Sequence, residues 1–324
     1  MQKVRVARVL RETPDIVSID LVAADGQSLP AAAAGSHIDV LIGSNSVEGN
    51  PLIVRQYSLC QAPDETDCFR IAVKREPLSR GGSQWMHESL GEGDELEIGE
   101  PRDNFPLSDK ADFHVLVAGG IGITPMLSMA QHLHAKGAPF RLEYFVRSIE
   151  HAAFASALQN APFRDHVRFH TGVAPDALEG FANELFGSPS SADAHLYICG
   201  PAPFMELVER VTKTAWPDGT VHTEYFGAAA GHKAGDGQFV VRLARSDREL
   251  VVPAGVPVIE VLEAAGVSVD TSCRQGACGT CLLNVLDGVP DHRDGFLLPH
   301  EKQEGRCMIA CVSRSLSPVL VLDV

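Results

Sequence analysis

Four cysteines near the end of the chain, Cys273, Cys278, Cys281 and Cys311, fall in the pattern C-x4-C-x2-C-x29-C. This is the ligand spacing of a plant-type 2Fe-2S centre, which takes one electron at a time. Three thiols packed into nine residues, with Gly276 and Gly279 between them, let the backbone wrap around a small inorganic core and turn its amides toward the sulfurs. Cys307 competes for the fourth position but leaves a gap of 25 residues, and the spacing favours Cys311. A structural zinc site usually brings two C-x2-C pairs, and only one is present.

A second chemistry-bearing stretch is Gly119-Gly120-Ile121-Gly122-Ile123-Thr124-Pro125-Met126, directly after the apolar run FHVLVA. Glycines there permit a tight strand-to-helix turn and a close approach by a pyrophosphate. Thr124 is expected to cap the helix and Pro125 to occupy its first position. Cys199-Gly200-Pro201, followed by Phe204 and Met205, ends another apolar run, at the carboxyl edge where open α/β sheets bind ligands. The Cys199 thiol is then expected beside a nicotinamide. Earlier in the chain, Arg55-Gln56-Tyr57-Ser58-Leu59, Lys74 and Gly81-Gly82-Ser83 supply a cation, an aromatic ring, hydroxyls and free amides. These are the parts a flavin phosphate and ring system need. A nicotinamide gives up two electrons as a hydride and a 2Fe-2S cluster accepts one, so a flavin is expected to stand between them.

The elements that must position these residues change character along the 324 residues. Residues 1–105 carry short alternating runs such as VRVARVL, HIDVLI and DELEIGEP, broken by Pro, Gly, Asp and Asn, which predicts an antiparallel β-barrel. Residues 106–226 alternate apolar strands with helical stretches such as MLSMAQHLHAKG, the pattern of an α/β domain with a parallel sheet. The stretch GAAAGHKAGDG lacks apolar periodicity and predicts a linker over residues 227–236. Residues 237–324 then read as an α+β module: a hairpin in QFVVRLARSDRELVVPAG, a helix in PVIEVLEAAGVSV and the cysteine loop.

A hydrophobic content of 45% with 21% charged residues is that of a globular protein. The net charge of -15, with no Lys/Arg block, argues against a nucleic-acid partner. No run of about 18 apolar residues offers a membrane span. The opening residues MQKVRVARVLRETPD lack the apolar core of a signal peptide, so a cytoplasmic location is expected. His132 and His134 lie two apart on a predicted helix and face different ways, and His166 and His170 flank a strand with no carboxylate partner visible in the sequence. No HExxH or GxSxG motif is present.

Taken in order, RQYSL, GGIGITPM, YICGP and CRQGACGTC with Cys311 resemble the motifs of the phthalate dioxygenase reductase family, over essentially the whole chain. The resemblance implies an FMN-binding barrel, an NAD-binding α/β domain and a C-terminal plant-type ferredoxin (β-grasp) domain. It implies that Arg55, Tyr57, Ser58 and Leu59, with Lys74, Gly81, Gly82 and Ser83, hold FMN. Gly119, Gly120, Gly122, Thr124, Pro125, Cys199, Gly200 and Pro201 would frame NADH. Phe226 and Glu224 would lie at the flavin, so that Cys199, Phe226 and Glu224 form the reacting site. FMN is implied over FAD because no adenine-binding stretch stands between the first two motifs. Arg147 could meet a 2'-phosphate while Glu150 would repel one; the residues leave this open, and the resemblance implies NADH. The function it implies is electron transfer from NADH through FMN and the 2Fe-2S cluster to a Rieske-type oxygenase of aromatic-compound breakdown. The alternatives are another acceptor, such as a cytochrome P450, or a redox sensor without turnover.

Overall fold

The computed structural model describes residues 1–42, 53–77, 81–226, 236–271, 276 and 279–324. The chain divides into two compact units, Met1–Phe226 and Gly227–Val324. The first begins with β1 (Gln2–Thr13), β2 (Ile16–Ala23), β3 (His37–Ile42), β4 (Ile53–Ser58), β5 (Phe69–Lys74), helix α1 (Gly82–Glu88) and β6 (Glu95–Ile98). The strands form one antiparallel sheet in the order β4-β3-β6-β1-β2-β5, whose end strands β4 and β5 lie alongside each other. Inward-facing Val4, Val6, Ile19, Leu21, Ile38, Val40, Phe69, Ile71 and Ile98 fill the interior. This is the period-2 burial that the alternating runs predict. Helix α1 was not foreseen, because its seven residues GSQWMHE are too few to display a helical period.

The same unit continues with β7 (Phe113–Gly119), α2 (Ile123–Ala135), β8 (Phe140–Val146), α3 (Ala155–Asn160), β9 (Val167–Thr171), α4 (Pro175–Phe186), β10 (Ala194–Cys199), α5 (Ala202–Thr212) and β11 (Val221–Glu224). The strands run parallel in the order β11-β10-β7-β8-β9, so the winding reverses between β7 and β10. Helices α4 and α5 cover one face through Phe186, Met205 and Val208. Helix α2 is buried nearly all round. It packs on the other face of the sheet through Leu116, Leu142 and Tyr197, and also against Ile16, Ala34, Cys60, Ala72 and Phe105 of the barrel. A helix apolar on every side is what a position between two layers requires. The tip of the β1–β2 hairpin is tied to the start of α3 by Glu12 Oε2, which accepts the Phe154 N–H at 3.1 Å.

The second unit comprises β12 (Phe239–Leu243), β13 (Arg248–Val252), α6 (Val258–Ala264), β14 (Leu282–Asp287), β15 (Pro290–Asp291), α7 (Pro299–Glu304), β16 (Cys307–Ile309), β17 (Arg314–Ser315) and β18 (Val319–Leu322). Five strands pair in the order β13-β12-β18-β14-β16, with β12 parallel to β18 and its neighbours antiparallel. Helix α6 lays Val258, Ile259 and Leu262 on that sheet. Most of the expected linker lies outside the described residues. Its last residue, Asp236, is instead fixed in this unit: both its oxygens accept from Arg293, at 2.9 and 2.5 Å, and Arg314 lies 3.7 Å away. Composition could not foresee this, because both partners are more than fifty residues distant.

A buried imidazole, His37, and a half-buried one, His222, tie the stability of the first unit to pH. Burial, with the Arg102 charge second, lowers the pKa of His37 from 6.5 to about 4. Burial, with His195 and His114 second and third, does the same to His222. Both groups are neutral when folded and take up protons more readily when unfolded. Their contribution is therefore intact above pH 6.5 and is lost as pH falls toward about 4. Thermal melts across that range should show the loss, and His222→Asn should flatten the profile; an unchanged slope would exclude His222 as a source.

Candidate functional site

The reversal of winding between β7 and β10 creates a crevice beyond the carboxyl ends of those strands, the usual ligand position in open α/β sheets. Gly119 ends β7, a 3-10 turn runs over Gly120–Gly122, and α2 follows. A Cβ on Gly122 would lie 2.1 Å from the Cys199 carbonyl oxygen, and one on Gly200 would lie 3.0 Å from Gly119 Cα. The two strand ends approach backbone to backbone because neither glycine carries a side chain. Gly120 adopts φ +53, and a Cβ there would meet nothing within 4 Å. The space above the turn is open, as a pyrophosphate approaching those amides requires. Thr124 and Pro125 differ from expectation. The 3-10 turn starts the helix at Ile123, so Thr124 lies inside it and its hydroxyl donates to the Ile121 carbonyl at 3.1 Å. Pro125 takes the third helical position, where a missing N–H still costs no helical bond.

Cys199 ends β10 fully buried. Burial first, and then the Glu224 charge, raise its pKa and keep the thiol protonated. Glu224 ends the adjacent strand β11, paired in register with Cys199. The Ser58 hydroxyl, from β4 of the barrel, donates to Glu224 Oε2 at 3.4 Å. Burial is the main cause that raises the Glu224 pKa from 4.5 to about 8; Ser58 opposes it and Asp103 adds to it. Thus Ser58, Cys199 and Glu224, drawn from distant parts of the sequence, converge at one place. Phe226 follows two residues after Glu224 and is 42% exposed, which makes it a surface ring rather than a core aromatic.

On the barrel, Arg55 lies against the start of α1: a Cβ on Gly82 would meet Arg55 Cγ at 3.1 Å and Nε at 3.2 Å. A guanidinium beside backbone amides suits a phosphate, so the donor set fits the flavin's phosphate arm. Tyr57 pairs with Ile38, and burial raises its phenol pKa. Leu59 is buried. Lys74 forms an ion pair with Glu76 at 3.2 Å, Ser83 Oγ accepts the Glu76 N–H at 3.2 Å, and Gly81 has φ +90. Arg147 follows β8 and faces Asp15 of the β1–β2 hairpin at 3.8 Å.

In the second unit Cys281 and Cys311 are both buried in one core, and the Ala310 N–H donates to the Cys281 carbonyl at 3.1 Å. The β14–β16 register sets Leu282 opposite Ile309 and Asn284 opposite Cys307. Cys311 therefore lies by Cys281, whereas Cys307 is carried further along the ladder. Cys273 and Cys278 lie outside the described residues. Among the described residues no three metal-ligating side chains come together. The glycines of the loop are tightly enclosed. Gly276 and Gly279 both have φ +74, and added Cβ atoms would meet Val312 Cγ2 at 2.7 Å and the Phe296 ring at 2.2 Å. Two left-handed glycines beside the buried thiols of Cys281 and Cys311 fit a thiolate-held cluster.

Sequence reading missed one pair outright. Glu143 on β8 is fully buried and bonds His170 of β9 at 2.6 Å, with Arg141 and Arg168 at 3.5 and 3.7 Å. His170 thus does have a carboxylate partner, visible only once β8 and β9 are paired.

This fold and site define a multidomain electron-transfer oxidoreductase. The model of the 2Fe-2S iron-sulfur cluster binding domain matches residues 241–316. A vanillate O-demethylase oxidoreductase of Pseudomonas sp. (strain HR199 / DSM 7063) is 44% identical over 310 residues, 95% of each chain. The solved structure of phthalate dioxygenase reductase, described as a modular structure for electron transfer from pyridine nucleotides to 2Fe-2S, aligns with a TM-score of 0.72 at 39% identity and covers 99% of this chain and 97% of that one. An intact type IV self-sufficient cytochrome P450 monooxygenase aligns at 0.80 with 34% identity, over all of this chain and 41% of that one. The chain belongs to the phthalate dioxygenase reductase family.

Two outcomes test this geometry. Gly122→Ala should destabilise the first unit by about 3 kcal/mol through backbone overlap, and Gly120→Ala by only about 1 kcal/mol through its positive φ, read from denaturant unfolding. Equal losses would contradict the close approach of Gly122 to Cys199. For Glu224 the sign is opposite to that of the histidines. A raised carboxyl favours folding fully below pH 4.5 and loses that advantage as pH rises through about 8. Glu224→Gln should therefore raise the melting temperature more at pH 8 than at pH 5.

Proposed function

We propose that this protein oxidises NADH and passes the electrons singly, through FMN and a 2Fe-2S cluster, to a Rieske-type terminal oxygenase acting on aromatic compounds in the cytoplasm. The observation that carries the reading is the meeting of Ser58, from the barrel, with Glu224 and Cys199 at the crevice of the nucleotide sheet. Bound FMN supplies the exchange between a two-electron donor and a one-electron acceptor.

The chain's own residues bind, orient and tune. Arg55 with Gly81, Gly82 and Ser83 would hold the phosphate end of FMN, and Tyr57, Ser58, Leu59 and Lys74 would line the remainder. Gly119, Gly120, Gly122, Thr124, Pro125, Gly200, Pro201 and Arg147 would receive NADH along the crevice. Cys199 remains a neutral thiol through burial. Glu224 keeps its proton near neutral pH, so the site would place no bare carboxylate beside a ring that gains negative charge. Phe226, half exposed beside Glu224, would cover the ring. No side chain acts as nucleophile. Cys273, Cys278, Cys281 and Cys311 would hold the cluster.

A cytochrome P450 as acceptor is the second reading, since the chain aligns in full with part of a P450 monooxygenase. Relatives matched over 95% or more of both chains are named vanillate O-demethylase oxidoreductase and phthalate dioxygenase reductase, which favours the first. Cys278→Ser should leave reduction of the flavin by NADH within about threefold, because hydride transfer precedes the cluster, while delivery to a one-electron protein acceptor falls by at least about a hundredfold. Rapid-mixing spectra of the purified protein with NADH would follow both; equal loss would overturn the order of carriers.

A further inference from the structure

The segment after β15 carries a buried carboxylate, Asp294, whose role rests on the reading that Cys273, Cys278, Cys281 and Cys311 hold the 2Fe-2S cluster. Its side chain has no exposed surface. Oδ2 accepts the Phe296 and Leu297 N–H groups at 3.2 and 2.8 Å. Oδ1 accepts the Ser313 hydroxyl at 3.4 Å, and Ser313 comes two residues after Cys311. On the other side, a Cβ added to Gly276 would lie 3.2 Å from Asp294 Cα, and the Gly295 N–H donates to the Gly276 carbonyl at 3.1 Å. Gly276 stands between Cys273 and Cys278 in the sequence. Asp294 is therefore in touch with both stretches of chain that carry the proposed ligands.

The charge at this position is only partly balanced. Lys302 of α7 places Nζ 3.7 Å from Oδ2 and donates to the Asp294 carbonyl at 2.5 Å. The lysine side chain is 32% exposed, so solvent screens its charge while the carboxylate stays dry. The Arg293 guanidinium is taken up by Asp236 and Asp291. His292 Nδ1 stands 3.7 Å from Oδ1, and neither of its ring nitrogens has a hydrogen-bond partner among the described residues. The field of Asp294 reaches a sulfur of the same unit: burial first, then the charges of Glu301 and Asp294, raise the pKa of Cys307. An anion that makes a thiol harder to ionise also makes a nearby cluster harder to reduce, because both changes add negative charge.

We propose that Asp294 acts on the 2Fe-2S cluster as a fixed, buried negative charge that lowers its reduction potential, with Lys302 as a partial counter-charge. Each reduction leaves the cluster one charge more negative beside the carboxylate, and passing that electron to the acceptor protein removes the charge again. The pair thereby makes the reduced cluster a stronger one-electron donor. The hydrogen bonds to Phe296, Leu297 and Ser313 fix where the charge sits.

Anaerobic redox titration of the full-length protein with mediators tests this, followed by the visible spectrum and by the electron paramagnetic resonance of the reduced cluster. Asp294→Asn keeps the shape and one acceptor oxygen, and should raise the cluster's midpoint potential by about 59 mV, a tenfold change in the one-electron equilibrium. Lys302→Gln keeps a donor but not the charge, and should lower the potential, by about threefold in the same constant. The opposite signs separate charge from packing, since a loosened loop would shift both variants the same way. Because Asp294 is buried, its shift should persist between about 50 and about 500 mM salt. Iron and sulfide content report whether each variant holds a cluster, and Lys302→Gln, at a partly exposed position, decides alone if Asp294→Asn assembles none. A potential unmoved by the variants, or moved in the same direction by both, overturns the inference and leaves the proposed function standing. Loss of the cluster from both variants marks the pair as structural and likewise overturns it. A wild type with no 2Fe-2S signal after reconstitution with iron and sulfide overturns the proposed function as well.

Discussion

The backbone of Gly122 rests against the carbonyl of Cys199, where a single added carbon would overlap an oxygen at 2.1 Å. Much of the first unit depends on that contact. It lets β7 and β10 end side by side, so that a glycine turn and a cysteine turn open on the same crevice. It also fixes the start of α2, the helix whose buried surface the barrel and the nucleotide sheet share. Because α2 is held by both, the barrel is set in register with the sheet, and Ser58 of β4 can reach Glu224 of β11. A glycine chosen for close packing thus has a consequence for chemistry: residues 166 positions apart meet at one site.

The ferredoxin-type unit uses a different device toward a similar end. Its thiols are delivered by a strand register. Pairing of Leu282 with Ile309 sets Cys281 and Cys311, each just beyond the pair, on the same side of the ladder end. Cys307 lies on the other side of that pair, opposite Asn284. The segment after β15 then closes over the loop: the Gly295 N–H donates to the Gly276 carbonyl, and Phe296 lies on Gly279. The same segment carries Arg293, which holds Asp236 where the chain enters this unit. One stretch of residues therefore contacts both Gly276 and Gly279 and holds Asp236.

The sequence made the strands, the glycine turn and the cysteine spacing legible, because each is a local pattern. Alternation along HIDVLI reflects the pleat of β3, and GGIGITPM announces a turn by its own composition. What escaped was set by neighbours far along the chain. Thr124 looked like a cap until the 3-10 turn moved the helix start ahead of it. His170 looked unpartnered until β8 and β9 paired and brought Glu143 beneath it. Asp236 read as linker because its partners, Arg293 and Arg314, lie 57 and 78 residues away. The pair of Asp15 with Arg147 was hidden in the same way, since only the docking of the barrel on the α/β domain brings the two together.

The ionisable groups at the crevice share one electrostatic logic. Hydride transfer leaves positive charge on the donor and adds negative charge to the acceptor, so a fixed anion at the accepting side would oppose it in a poorly screened site. Cys199 and Glu224 are both acids, and burial drives both toward the protonated form, so the two strand ends are polar yet carry little charge near neutral pH. The charge is kept at the margin, where Asp15, Arg147 and Glu150 meet solvent. Under the function proposed above, the neutral groups at the centre leave the accepting side without a fixed anion, while the charges at the rim are screened by solvent.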